Sequence, residues 1–177
     1  MPVALSRPEA GEFAPALAGY IAHIAEEEDL FEVLTSQLQE LPRLLGSVPS
    51  SREEYRYAPG KWSIREIVGH LSDSERVFAY RALRFARGDE SPLQGFDENA
   101  YVPALKAESR RLADLTAEWT DVRRATLSLF RHLPAEAWQR RGVASGKPVS
   151  VRALGFIIAG HTRHHVGVLE ERYLGGS

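Results

Sequence analysis

Cysteine is absent from these 177 residues, which excludes a disulfide framework, a protein thiolate nucleophile, an iron-sulfur cluster and every cysteine-containing zinc site. Any metal has to sit on His, Asp or Glu. A charge excess is lacking too: 22 Lys and Arg stand against 24 Asp and Glu, a net of −2. That balance gives no chain-wide attraction to phosphate backbones or anionic lipid, so neither nucleic acid nor a membrane is an expected partner. No apolar run approaches the ~18 residues of a membrane span. The opening MPVALSRPEAGEF lacks the cationic start and apolar stretch of an export signal. A cytoplasmic location is the default expectation.

Strand patterns are nearly absent as well. What is there is helical periodicity in four stretches, with most Pro and Gly between them. The first helix is expected to start near the acidic cluster Glu26 to Asp29, to carry Phe31, Leu34, Leu38, Leu41 and Leu45 inward, and to kink or end at Pro42. The second follows the turn Pro59-Gly60. Ser63 and Glu66 read as a capping box, and Ile64, Ile67, Val68, Leu71, Phe78 and Phe85 form its buried face until Gly88. The third is expected from Lys106 to His132 through Leu112, Leu115, Trp119, Val122, Thr126 and Leu129. The fourth begins after Ser150, with Leu154, Ile158, His161, His165 and Val168 in one row, and stops at Gly175.

Together these predict an all-α four-helix bundle with long connections, Gly46 to Trp62, Gly88 to Leu105 and Pro134 to Val149. Residues 25–177 form the bundle domain and 1–24 an N-terminal extension, in which Ala16 to Ile24 reads as a short helix. The pairs Arg110-Arg111, Arg123-Arg124 and Arg140-Arg141 read as solvated surface. Phe78 and Phe85 beside Tyr80 offer apolar surface for a homodimer.

Three of the six histidines lie in Gly160-His161-Thr162-Arg163-His164-His165. At i and i+4, His161 and His165 share a helix face one turn apart, as metal-binding pairs do. Both fall on the inward row, whereas His164 is displaced toward a helix boundary. The third ligand is His70, on the inward row Ser63, Ile67, His70, Ser74, Val77. Gly69 and Gly160 each precede a ligand and permit close approach. Three neutral imidazoles leave a divalent ion one open position, the mark of a catalytic site. Rival motifs fail: the chain has no Glu-x-x-His pair, no H-E-x-x-H, no G-x-G-x-x-G, no P-loop and no G-x-S-x-G.

The run Tyr57-Ala58-Pro59-Gly60-Lys61-Trp62-Ser63, then Gly69-His70-Leu71, Phe96-Asp97-Glu98-Asn99, the histidine run and Glu171-Arg172-Tyr173-Leu174 resemble the DinB/YfiT-like superfamily of metalloenzymes. The resemblance spans about residues 25 to 174. It implies a four-helix bundle holding zinc or nickel on one His of the second helix and the outer two of an H-x-x-x-H on the fourth, here His70, His161 and His165. It also implies homodimers, and two reaction classes. Some relatives are thiol-dependent S-transferases and isomerases using mycothiol, bacillithiol or glutathione, and the YfiT-like branch is described as metal-dependent hydrolases.

The expected function is therefore divalent-metal-dependent thiol S-transfer to small electrophiles, with a low-molecular-weight thiol as cosubstrate. Metal-dependent hydrolysis and non-enzymatic metal binding in a stress response are the alternatives. A general base is sought in Asp73, Glu75 or Asp97, with a salt bridge from Glu75 to an Arg such as Arg81 as its competing fate. Trp62 and Phe96 are candidate apolar contacts for a small-molecule substrate and Asn99 a polar one. Arg81, on the extension of the His70 row, is a candidate carboxylate contact.

Overall fold

The computed structural model describes residues 5–175. Its frame is four helices, α2 (Leu30–Gly46), α3 (Ile64–Ala86), α5 (Leu112–Arg131) and α6 (Val151–Val168); α1 (Ala18–Ala22) and α4 (Glu98–Ala104) are short helices in the connections. Helix α3 packs on α5 and α6, and α2 packs on the same two. Successive frame helices α2 and α3 thus lie across the bundle from each other, as do α5 and α6, so the connections joining them cross its ends. Among the described residues no helix is long and apolar enough to cross a membrane.

The starts of three helices follow from local chemistry. Asp29 Oδ1 accepts from the Phe31 and Glu32 amides at 2.9 and 3.0 Å, so the acidic cluster precedes α2 and its last member caps it. Ser63 and Glu66 form the capping box of α3. Ser150 Oγ accepts from the Ala153 amide at 2.9 Å and opens α6. The start of α5 departs from expectation. Lys106 has a left-handed backbone (φ 54°), Ala107–Ser109 is a single 3-10 turn, and the helix begins only at Leu112. Arg111 offers no capping oxygen; Glu53, from the distant α2–α3 connection, accepts from the Leu112 amide at 3.3 Å.

Pro42 does not end α2, which runs on to Gly46. Leu41 and Leu45, 0% and 3% exposed, bury enough apolar surface to offset the missing hydrogen bond. Nor is the α5–α6 connection irregular: β1 (Arg141–Ala144) and β2 (Lys147–Ser150) pair antiparallel. Ser145 and Gly146, at φ 54° and 71°, make the two-residue turn with both φ positive that suits strand twist. Leu93 adds a short parallel bridge to Ala144. Each strand is four residues long, too short for alternation to show.

Phe78 and Phe85 lie in the core, as their place on the buried face of α3 required, so of the three aromatics offered to a homodimer Tyr80 alone is exposed. Arg123, expected on the surface, is fully buried. Leu112, Leu115, Trp119 and Thr126 of the expected α5 row are buried, but Arg123 and Phe130 take the inward places expected of Val122 and Leu129.

Helix α6 is buried at every residue from Val151 to Thr162, because the chain before it closes its fourth side. Tyr20 of α1 lies so close that a Cβ on Gly160 would stand 1.8 Å from its carbonyl oxygen. Glu12 accepts from Ser150 Oγ at 2.6 Å and pairs with Arg152. Gly69 likewise admits a neighbour, the Leu105 side chain.

Candidate metal centre

The bundle core is two apolar clusters, not one. Leu34, Phe78, Phe130 and Ile157 belong to the first, and Leu41, Leu71, Trp119 and Leu169 to the second. Between them every frame helix turns polar side chains inward. Arg123 donates through Nε and Nη2 to the two oxygens of Glu75 at 2.8 and 2.9 Å. Its Nη2 also donates to Thr162 Oγ1 at 2.9 Å, and its Nη1 to Gln37 Oε1 at 2.5 Å. Gln37 in turn donates to the Ala159 carbonyl at 2.8 Å. This network fixes the register of α3 against α6, the two helices that carry the histidines.

At the same level His70, His161 and His165 converge. Nε2 of His161 lies 3.0 Å from Nε2 of His70 and 3.2 Å from that of His165. Burial pushes the His70 imidazole down to about 4 and that of His165 to about 3, the other histidines adding to the second. His161 lies well below its ordinary value, through burial first and then the neighbouring histidines and Arg123. All three are neutral at pH 7, with lone pairs available to a metal.

The donor set fits a divalent ion. Nitrogen ligands at ~2.0 to 2.1 Å from a tetrahedral ion stand about 3.3 Å from one another, close to the separations seen. Among the described residues no carboxylate joins the cluster, which leaves the fourth position to an exogenous ligand. Ser74 Oγ lies 3.4 Å from His70 Nδ1, the second-nitrogen contact that orients a ligating imidazole. His165 Nδ1 is buried without such a partner. His164 stays outside the cluster, half-buried between Tyr20 and His23.

Two clefts reach the cluster. One, of about 320 Å³, exposes His70 and His161 and is walled by Phe78, Arg81, Phe96 and the hairpin. The other, of about 270 Å³, exposes His165 beneath Trp62, Lys61 and Asn99. The four expected substrate contacts are thus divided, Arg81 and Phe96 on one side and Trp62 and Asn99 on the other. Trp62 also leans on His70, ring centroids 4.7 Å apart.

The three expected bases stand elsewhere. Glu75 lines neither cleft, and its partner is Arg123 rather than Arg81. Asp97 lines neither cleft and caps α4, accepting from the Asn99 amide at 2.9 Å. Asp73 sits beside Arg76, with its carboxyl raised by burial. Glu98, next to Asp97, does line the larger cleft, together with Tyr20, Ser145 and Lys147. Sequence reasoning missed these four. The last two stand on an unforeseen hairpin, and Tyr20 on a segment set apart from the bundle. The hydroxyl of Tyr20 is raised by its burial and by the charge of Glu98.

Comparison with known proteins agrees with this architecture. YfiT from Bacillus subtilis, described as a probable metal-dependent hydrolase with an unusual four-helix bundle topology, superposes with a TM-score of 0.75 at 19% identity, over 99% of this chain and 97% of that one. A mycothiol-dependent maleylpyruvate isomerase superposes with a TM-score of 0.63 at 14% identity, over 78% of this chain and 58% of that one. No curated protein sequence matches the chain. The model of the DinB superfamily matches residues 33–169, which takes in all three histidines and most of the bundle, and the chain belongs to that superfamily.

Proposed function

We propose that this protein is a divalent-metal-dependent enzyme that transfers a low-molecular-weight thiol to a small electrophile, with zinc or nickel on His70, His161 and His165. The observation that carries this reading is the pair of clefts meeting at one three-histidine cluster, since a two-reactant transfer needs two approaches to one centre. A divalent ion bound there would act as a Lewis acid, favouring the thiolate of a bound thiol at neutral pH. The nucleophile then arrives as cosubstrate, in keeping with a chain that has no cysteine.

The chain's own residues do the rest. Burial keeps the three imidazoles unprotonated. The Arg123 network holds α3 and α6 in the register that aims them. Trp62 and Asn99 border the His165 approach, and Phe96 gives the other an apolar wall. Hydrolysis is the second reading. It draws support from the likeness to YfiT and from Glu98, a carboxylate in the larger cleft able to accept a proton from water. Simple metal storage draws none, because no protein carboxylate closes the coordination sphere among the described residues.

The test is metal analysis of the purified protein followed by a thiol panel. One ion per chain is expected; His161→Ala loses it and His164→Ala keeps it. Stripping the metal abolishes transfer and leaves the uncatalysed thiol reaction unchanged. Metal-replete protein that hydrolyses an ester or amide without thiol, and is inert with every thiol, gives the assignment to hydrolysis.

A further inference from the structure

Arg81 is buried to 7% exposure on α3, and among the described residues no carboxylate lies within 4.0 Å of it. The other two guanidinium groups buried this deeply, Arg123 and Arg152, are each paired with a glutamate. A guanidinium cannot shed its charge, and burying one without an anion costs several kcal/mol. Its surroundings hold it in one orientation. Nη2 donates to the Gln94 carbonyl and to Ser145 Oγ, each at 3.0 Å. Cζ lies 6.0 Å from the Phe78 ring centroid and 5.8 Å from that of Phe96. Nε and Nη1 donate to no partner among the described residues, yet neither is an enclosed orphan atom. Arg81 lines the larger cleft.

We infer that Arg81 is the anion-recognising end of this cleft and that the reactant entering there is a small carboxylic acid, bound through its carboxylate while the remainder reaches the histidine cluster. Nη2 spends both its hydrogens on Gln94 and Ser145, and each bidentate edge of a guanidinium includes Nη2, so Nε and Nη1 offer a carboxylate a single charge-assisted hydrogen bond from a cation that has no other anion. One phenyl ring sets the distance: Phe78 is 6.0 Å from Arg81 Cζ and 6.0 Å from the His161 ring. Arg81 Cζ and the His161 ring are therefore no more than about 12 Å apart, the two legs end to end, with an apolar wall between them. Lys147, exposed on the hairpin, is a second cation at this cleft, against the single acid Glu98. The inference rests on reading the histidine cluster as the reacting centre.

The experiment is calorimetric titration of the full chain, metal-replete and again after chelator treatment and dialysis, with pentanoate, its neutral counterpart pentanamide, and methyl phosphate. Pentanoate is expected to bind both forms. Arg81→Met should weaken it by about tenfold or more, the loss of a charged hydrogen-bonded contact, with pentanamide too weak to detect. Ser145→Ala, which leaves the core intact and frees the guanidinium, should weaken it by a smaller factor. Unaltered metal content in Arg81→Met separates this site from the histidine site. Pentanoate binding by the metal-free protein survives even if the transferase reading falls. Pentanoate that binds Arg81→Met as well as the parent, binds only the metal-replete form, or does not bind at all overturns the inference. Tighter binding of methyl phosphate than of pentanoate overturns the carboxylate assignment.

Discussion

At the scale of single residues, the centre depends on Arg123 and Glu75 as much as on its ligands. Both are enclosed between the two apolar clusters, at 0% and 3% side-chain exposure. Removing one charge of such a pair leaves the other buried and uncompensated, whereas replacing both by apolar groups costs much less. Glu75→Gln should therefore lower stability by about 3 to 5 kcal/mol, and Glu75→Leu combined with Arg123→Met should recover a large part of it, as read from urea midpoints. A drop under about 1 kcal/mol for Glu75→Gln would show that the carboxylate is not this pair's anchor. The histidines were legible in the sequence because i and i+4 spacing on an inward row is a local signal. The Arg123–Glu75 pair was not, since its members are 48 positions apart and a lone Arg beside another Arg looks like surface.

Elements show the same division between local and remote causes. The start of α3 could be read from Ser63 and Glu66, which satisfy each other's backbone groups within one turn. The start of α5 could not, because its capping acceptor Glu53 comes from another connection. The hairpin escaped because four-residue strands carry no period, although Ser145-Gly146 is turn chemistry in retrospect. Close approach at Gly160 was anticipated, but its neighbour is α1 rather than another bundle helix. That contact is backbone and cannot rotate away. Gly160→Ala should cost about 1 to 3 kcal/mol, a loss of several degrees in Tm by thermal unfolding. Gly167→Ala, on the same helix with nothing within 4 Å of the added carbon, should be neutral or stabilising by up to about 1 kcal/mol. Equal Tm values for the two variants would mean that α1 does not rest on α6.

For the whole molecule, the chain before residue 25 behaves as part of the fold. Arg7 donates to the Ile24 and Ile21 carbonyls at 2.9 and 3.0 Å and ties the end of α1, and Tyr20 faces the larger cleft. The tie at the other end of this segment is Glu12, 1% exposed, under the first turn of α6. Burial pushes its carboxyl up, but the hydrogen bonds from Arg152, Ser150 and the Glu9 amide outweigh burial and hold it at about 2, against an ordinary value of 4.5. Since the folded value is the lower one, the folded state binds fewer protons than the unfolded state between the two. The stabilisation is complete above about pH 4.5 and fades as pH falls toward 2. Glu12→Gln keeps the shape of the side chain and leaves the Arg152 charge unpaired, so it should cost about 3 to 5 kcal/mol at neutral pH. Near the lower end of that window the carboxylate is about half protonated in the folded parent and almost wholly so in the unfolded one, so little of the stabilisation is left and the two proteins should converge. Urea midpoints for parent and variant across this range test it: a gap that stays constant down to the acid end would mean that Glu12 contributes shape alone, and that the strap over α6 is held by something other than its charge.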